Sequence, residues 1–309
     1  MSGLRRPPRV PRAGHVAVIA PAGPVPPAQL DTGIEQLQSW GLTVSVGAHV
    51  RDTHPELDYL AGLDADRAAD FVWAWTRPEI DAVLCARGGY GCQRMVDLVP
   101  WAELKSLPPK VFAGSSDVTA LHTRIAAELD QVTLFAPMTA SAMFTDDLPA
   151  REHLRWSLLD PAAVGKLGRG AEPITGGQAR GVTVGGTLSL LAADLGLPTG
   201  HGWRPPPGSL AVLEDVTEDP YRLDGLLTHL LRSGWFDGVT GIALGSWTSC
   251  GPMPEVRAVL ADRLGGLGVP VAWEVGFGHC TNQLTVPLGV SALLDADAGT
   301  LLLDEPALI

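Results

Sequence analysis

The sequence predicts an α/β protein in two parts, a doubly wound first half followed by a smaller, β-rich second half. Three observations carry this. Short apolar runs alternate with helical patterns of ~10–15 residues through the first half. The 36 glycines and 26 prolines suit many strand–loop–helix junctions better than a helix bundle. The 309 residues, 46% hydrophobic and 18% charged, suffice for two domains with sizeable cores.

The elements follow in order. Residues 15–20 are almost wholly apolar and stop at Pro21-Ala22-Gly23-Pro24, the pattern of a strand buried on both faces. Residues 29–40 place Leu30, Ile34 and Leu37 at helical spacing, and Gly41 suits the helix end. A strand over 42–46 and a helix over 67–77 come next, then strands at 82–85 and 111–113. Residues 119–129 read as a helix, 134–135 as a strand and 154–159 as a further helix. The glycine-bracketed stretch 165–180 reads as a linker, dividing the chain into domains at 13–165 and 180–309. Beyond it, strands are expected at 210–213 and 239–244 and helices at 221–231 and 255–264. Residues 290–304 read as a hairpin through Ala298-Gly299.

Charge and composition exclude several classes. A net charge of −12 argues against nucleic acid, whose binding needs a basic footprint. Cys85, Cys92, Cys250 and Cys280 are too few and scattered for a disulfide scaffold or a zinc knuckle, so reduced thiols in the cytoplasm are expected. Arg5-Arg6 is followed by no apolar region long enough for a signal, and the start reads as a frayed basic tail. No stretch approaches the ~20 apolar residues of a membrane span.

Four places can carry chemistry. In Gly114-Ser115-Ser116-Asp117, a strand runs through a tight turn into a helix, which exposes a serine hydroxyl beside backbone N–H groups able to stabilise an oxyanion. The same residues would serve equally as helix N-caps. Arg87-Gly88-Gly89-Tyr90-Gly91 lets backbone approach a ligand, yet lacks both the Walker A and the dinucleotide spacing, and fits a plain glycine turn as well. Glu214-Asp215 ends an apolar strand, where open sheets place their sites; without a partner it is a solvated acidic turn. His279, beside Gly276 and Gly278, sits in a loop expected to be mobile and exposed, and is one of eight histidines. Together they supply nucleophile, carboxylate and base in the order Ser…Glu…His. No H-E-x-x-H is present, which disfavours a metallopeptidase.

At this point the chain resembles the LD-carboxypeptidase family of serine peptidases, which also contains the microcin-C-resistance peptidases. The resemblance runs over nearly the whole chain. It includes residues 16–21, Arg87-Gly88-Gly89-Tyr90-Gly91, residues 114–119, Gly185-Gly186-Thr187-Leu188, Leu213-Glu214-Asp215 with Pro220-Tyr221-Arg222, and Gly278-His279 with Pro287-Leu288-Gly289. It implies a flavodoxin-like N-terminal domain and a β-rich C-terminal domain, with a triad of Ser116, Glu214 and His279 across their interface. Glu214 is preferred to Glu218 because it ends the strand. Backbone N–H groups of Asp117 and of the glycine loop, Gly88 and above all Gly89, are the implied oxyanion donors.

The implied activity is metal- and cofactor-independent hydrolysis of the L,D-amide before a terminal D-alanine in murein tetrapeptides, by a cytoplasmic homodimer engaged in cell-wall recycling. Cleavage of a peptidyl- or aminoacyl-nucleotide is the alternative, with Trp247 and Trp273 available as a base platform. A non-catalytic ligand-binding module is a third reading. Two departures stand out. Ala136-Pro137-Met138 replaces the frequent His-Gly-Pro-Met, and Thr187 stands where Asn is common. Arg87 and Arg222 lie near the motifs as possible carboxylate holders.

Overall fold

Why the apolar runs need two covered faces is visible in the first strand of the computed structural model, which describes residues 4–168, 170, 172–196 and 204–309. In β1 (His15–Ile19), Val16 and Val18 enter one hydrophobic cluster and Ala17 and Ile19 another, on opposite sides of the sheet. A strand with both faces covered has no polar side, which is why it reads as a continuous run.

Next to β1 lie β2 (Thr43–Val46) and β3 (Ala82–Cys85), then β4 (Val111–Gly114) and β5 (Thr133–Phe135). These five pair in parallel in the order 5-4-3-1-2. That is the flavodoxin-like order, whose direction reverses between β1 and β3. The loops after β1, β3 and β4 therefore gather at one edge, where such sheets bind ligands.

The second sheet holds β6 (Lys166–Gly168), β7 (Gln178–Thr187), β8 (Ser209–Glu214), β9 (Val239–Leu244) and β10 (Val271–Ala272). β12 (Ser291–Asp295) and β13 (Thr300–Leu303) complete it, in the order 10-9-8-7-12-13-6. β7 to β10 run parallel, while β12, β13 and β6 are antiparallel additions.

Several expectations change. The stretch 165–180 is not a plain linker, because β6 within it forms the outer edge of the second sheet on β13. β7, the strand that joins the parallel and antiparallel parts of that sheet, was not legible: its sequence QARGVTVGGT is polar and glycine-rich. β11 (Val286–Leu288) lies late in the chain yet pairs antiparallel with β5, so the second half returns a strand to the first sheet. Phe135 of β5 and Phe277 meet edge-on, 6.3 Å between ring centres, within the shared core.

The basic start is not frayed from residue 4 onward. Arg5 donates to Leu129 O at 2.8 Å, placing a cation at the end of the helix Thr119–Leu129, where the helix dipole favours it. Arg9 N–H donates to Ile309 O at 2.7 Å, and Val10 is fully buried. None of the helices among the described residues is long and apolar enough to cross a membrane.

The paired glycines of β7 are a steric requirement. Gly185 has φ 134°, and a Cβ there would lie 2.1 Å from the backbone oxygen of Val212 on β8. Replacing Gly185 by Ala is expected to lower stability by about 1–3 kcal/mol, the scale of a strained backbone residue, read as a reduced denaturant midpoint with unchanged slope.

Candidate active site

Ser116 lies in a 3₁₀ turn (Ser116–Val118) between β4 and the helix Thr119–Leu129. Its φ is 62°, in the left-handed region that non-glycine residues rarely occupy. Such a residue costs about 1–3 kcal/mol and persists only where its surroundings enforce it. Capping does not explain the turn. Ser115 makes no side-chain cap bond, and the Asp117 carboxylate accepts instead from Cys92 N–H at 2.7 Å. Among the described residues the Ser116 hydroxyl has no hydrogen-bond partner.

The base of this turn is braced by His122. Its Nε2 lies 2.9 Å from Gly114 O, an acceptor only, so Nε2–H donates and Nδ1 accepts from the Thr133 hydroxyl at 2.8 Å. Burial pulls its pKa down to about 4, which keeps the ring neutral for this arrangement. His122 is a satisfied core histidine.

The glycine loop closes over the serine. A Cβ on Gly88 would stand 2.9 Å from Ser116 Cβ, so only glycine allows this approach. The Gly88 carbonyl accepts from Gly23 N–H at 3.0 Å, and Gly89 is exposed with φ 114°. The loop is pinned from behind by Arg67, whose buried guanidinium donates to Pro21 O at 2.5 Å and to Gly91 O at 2.8 Å. Asp117 shares this pinning role through Cys92, and burial raises its pKa against that hydrogen bond.

Glu214 ends β8 and is 0% exposed, so it is no solvated acidic turn. His279 Nδ1 lies 2.8 Å from Glu214 Oε2 and, facing a carboxylate, donates; the His279 backbone N–H adds a second contact at 3.3 Å. This fixes the tautomer and leaves Nε2 with a lone pair and no partner among the described residues. Gly278 makes the approach possible, since a Cβ there would lie 2.5 Å from Glu214 Oε2. Glu218, the discarded alternative, pairs with Arg222.

His279 is therefore held by hydrogen bonds and only partly exposed, against the expectation from its loop position. Its carbonyl accepts the Thr248 hydroxyl. The loop after it is gripped from the first half: Asn282 N–H donates to Asp147 Oδ2 at 2.5 Å, and Thr285 N–H to His153 Nδ1 at 3.0 Å. Burial lowers the His153 pKa to about 4, preserving it as a neutral acceptor. Asp147 and His153 were not singled out in the sequence, because nothing local marks a helix start as a partner for residues more than 130 positions later.

Other candidates are occupied elsewhere. Arg87 donates to Pro24 O, and Arg222 is taken by Glu218. Trp247 and Trp273 are 1% and 6% exposed, packed in the core of the second half, and neither forms an open platform. His49, Asp52 and Asp66 are the one group among the described residues with atoms close enough to share a metal ion, and none belongs to the Ser–Glu–His set.

Ser116 thus comes from the first sheet's edge and Glu214 with His279 from the second. The two sides meet where Thr187 N–H donates to Thr119 Oγ1 at 3.0 Å, three residues beyond the serine. A model of the LD-carboxypeptidase N-terminal domain matches residues 16–136, and one of the C-terminal domain matches residues 180–294. The chain belongs to the LD-carboxypeptidase family.

Relatives within and around this family extend the match. A Streptomyces coelicolor protein with a provisional carboxypeptidase name is 55% identical over 308 residues, covering 100% of this chain and 99% of the relative. The murein tetrapeptide carboxypeptidase of Pseudomonas aeruginosa is 31% identical over 296 residues, covering 92% of this chain and 94% of that one. Among solved structures, MccF in complex with glutamyl sulfamoyl guanosine superposes with a TM-score of 0.83 at 20% identity, over 98% of this chain and 99% of that one. At that identity the likeness establishes the fold.

Two charges bear on His279 in this LD-carboxypeptidase family member. Burial pulls the His279 pKa down, but the adjacent Glu214 carboxylate, its hydrogen bond and Asp215 outweigh it, so the net shift is upward from 6.5. Asp215 is itself pushed up to about 7 by burial and then by Glu214, against hydrogen bonds from Val216 and Ser189. A ring titration followed by NMR is expected to place His279 above 6.5. Asp215→Asn removes one attractive charge and is expected to move the midpoint to lower pH.

Proposed function

We propose that this member of the family is a serine carboxypeptidase. It cleaves the amide between an L-centre and the terminal D-alanine of murein tetrapeptides, in the cytoplasm and in the service of cell-wall recycling. The observation that carries the reading is the 2.8 Å pair of buried Glu214 and His279, which leaves the imidazole Nε2 uncommitted, in a fold that also strains the half-buried Ser116 into a left-handed turn.

Ser116 Oγ attacks the carbonyl of the L-residue while His279 Nε2 takes its proton. Glu214 keeps the imidazole in its productive tautomer and stabilises the imidazolium. Negative charge on the former carbonyl oxygen falls toward backbone N–H groups of Asp117 and of the loop at Gly88 and Gly89. His279 then hands its proton to the departing amine of D-alanine, and water resolves the acyl-enzyme by the reverse relay. The name of the Pseudomonas aeruginosa relative, murein tetrapeptide carboxypeptidase, supports the substrate class. An aminoacyl-nucleotide substrate is the alternative; Trp247 and Trp273, named as a base platform, are buried and lend it no support.

The test is D-alanine release from a murein tetrapeptide, followed by mass spectrometry. Ser116→Ala and His279→Ala are each expected to reduce turnover by roughly 10³-fold or more, with thermal unfolding close to that of the parent. A serine-directed acylating probe should label Ser116, and a chelator should leave the rate unchanged. Undiminished turnover by Ser116→Ala overturns the reading.

A further inference from the structure

The mechanism uses only one oxygen of Glu214. Oε2 is taken by His279, but Oε1 accepts the Thr187 hydroxyl at 2.5 Å. Thr187 is 2% exposed and Glu214 0%, so no solvent can stand in for that donor. The same residue reaches the other half of the molecule. Its backbone N–H donates to Thr119 Oγ1 at 3.0 Å, and Thr119 is itself fully buried at the start of the helix that follows Ser116. Gly186, φ 139°, permits the approach, since a Cβ there would lie 2.6 Å from Thr119 Oγ1.

We infer that Thr187 is a positioning residue for the acid–base pair, its hydroxyl fixing the rotation of the Glu214 carboxylate and its backbone holding that carboxylate in register with the nucleophile turn. The inference rests on the Ser–Glu–His reading and extends it. A carboxylate with one satisfied oxygen is free to rotate about its last bond. With Oε1 held, Oε2 has one remaining direction, and His279 Nδ1 occupies it. The hydroxyl also offsets part of the negative charge. Without it the carboxylate pulls harder on the imidazole, holding the proton that Nε2 must take and return. At this position, where the resembling family frequently has Asn, Thr187 offers a single rotatable donor, and Glu214 Oε1 accepts it.

The experiment compares Thr187→Val, Thr187→Ser and Thr119→Val with the parent, using D-alanine release from a murein tetrapeptide across the pH range. Thr187→Val keeps the shape and removes the donor. It is expected to lower kcat by roughly tenfold to a hundredfold, with KM little changed. The acid limb of its rate profile should move to higher pH. Thr187→Ser, which restores the donor, should return both towards the parent. Thr119→Val loosens the register, so it should lower kcat without moving the acid limb.

A Thr187→Val enzyme with the parent's kcat and acid limb overturns the inference. So does a loss of activity that serine does not rescue, since that marks a packing role. If the valine variant does not fold, Thr187→Ala carries the same comparison. Ser116→Ala run alongside separates the two claims: an inactive Ser116→Ala beside a normal Thr187→Val sinks this inference alone, whereas an active Ser116→Ala removes the triad beneath it.

Discussion

A carboxylate with no contact with solvent is the constraint around which this molecule is organised. Leaving the Glu214 charge unpaired in the interior would be costly, and removing one partner of a buried pair typically costs about 3–5 kcal/mol. Both of its oxygens are therefore engaged, by Thr187 on one side and His279 on the other. His279 can approach because Gly278 beside it lacks a Cβ, and Gly186 beside Thr187 makes room for Thr119. The glycine–histidine step thus serves the carboxylate directly, while the second of the paired glycines serves the seam to the helix that follows Ser116.

The Ser116 side is built in the same way. Ser116 is held in a strained backbone conformation between a strand end braced by neutral His122 and a helix whose first residue is bonded to Thr187. The glycine loop approaches from a third direction, held from behind by Arg67 and by Asp117 through Cys92. Several buried polar groups near the site, among them Arg67, Asp117 and His122, make structural hydrogen bonds and do no chemistry of their own. Interior polar groups without partners are expensive, and each of these three is paired with backbone, Arg67 with the Pro21 and Gly91 carbonyls, Asp117 with Cys92 N–H and His122 with the Gly114 carbonyl.

How much of this the sequence disclosed depends on the range of the interaction. Strands buried on both faces, such as β1, β3 and β9, announce themselves as apolar runs, and the helix Thr119–Leu129 is bounded by its own periodicity. β7 escapes notice because glycines that let strands and threonines approach look like loop residues. The pairing of β11 with β5 also escapes, since apolar pattern marks a strand without naming its sheet. At the site, Ser116, Glu214 and His279 are each ambiguous alone; together they supply the residue types of a triad, and the family resemblance assigns the roles residue by residue. Their burial is not legible locally either: Glu214-Asp215 followed by further acids looks wet, and a histidine just after Gly276 and Gly278 looks loose. Thr187 was noticed only as a departure from the family pattern, because its partner lies 27 residues along the chain on a neighbouring strand.

The late strand that crosses back to pair with β5 has a mechanical corollary. A cleft between two globules joined by a flexible tether can gape like a bivalve to admit its cargo. Here the halves are stitched together by main-chain bonds on a strand that leads directly from the histidine loop, and prising them apart would tear a sheet edge. That strand therefore ties the histidine loop to the first sheet, on the same molecule whose exposed Tyr59 and Tyr90 stand edge to face beside the glycine turn.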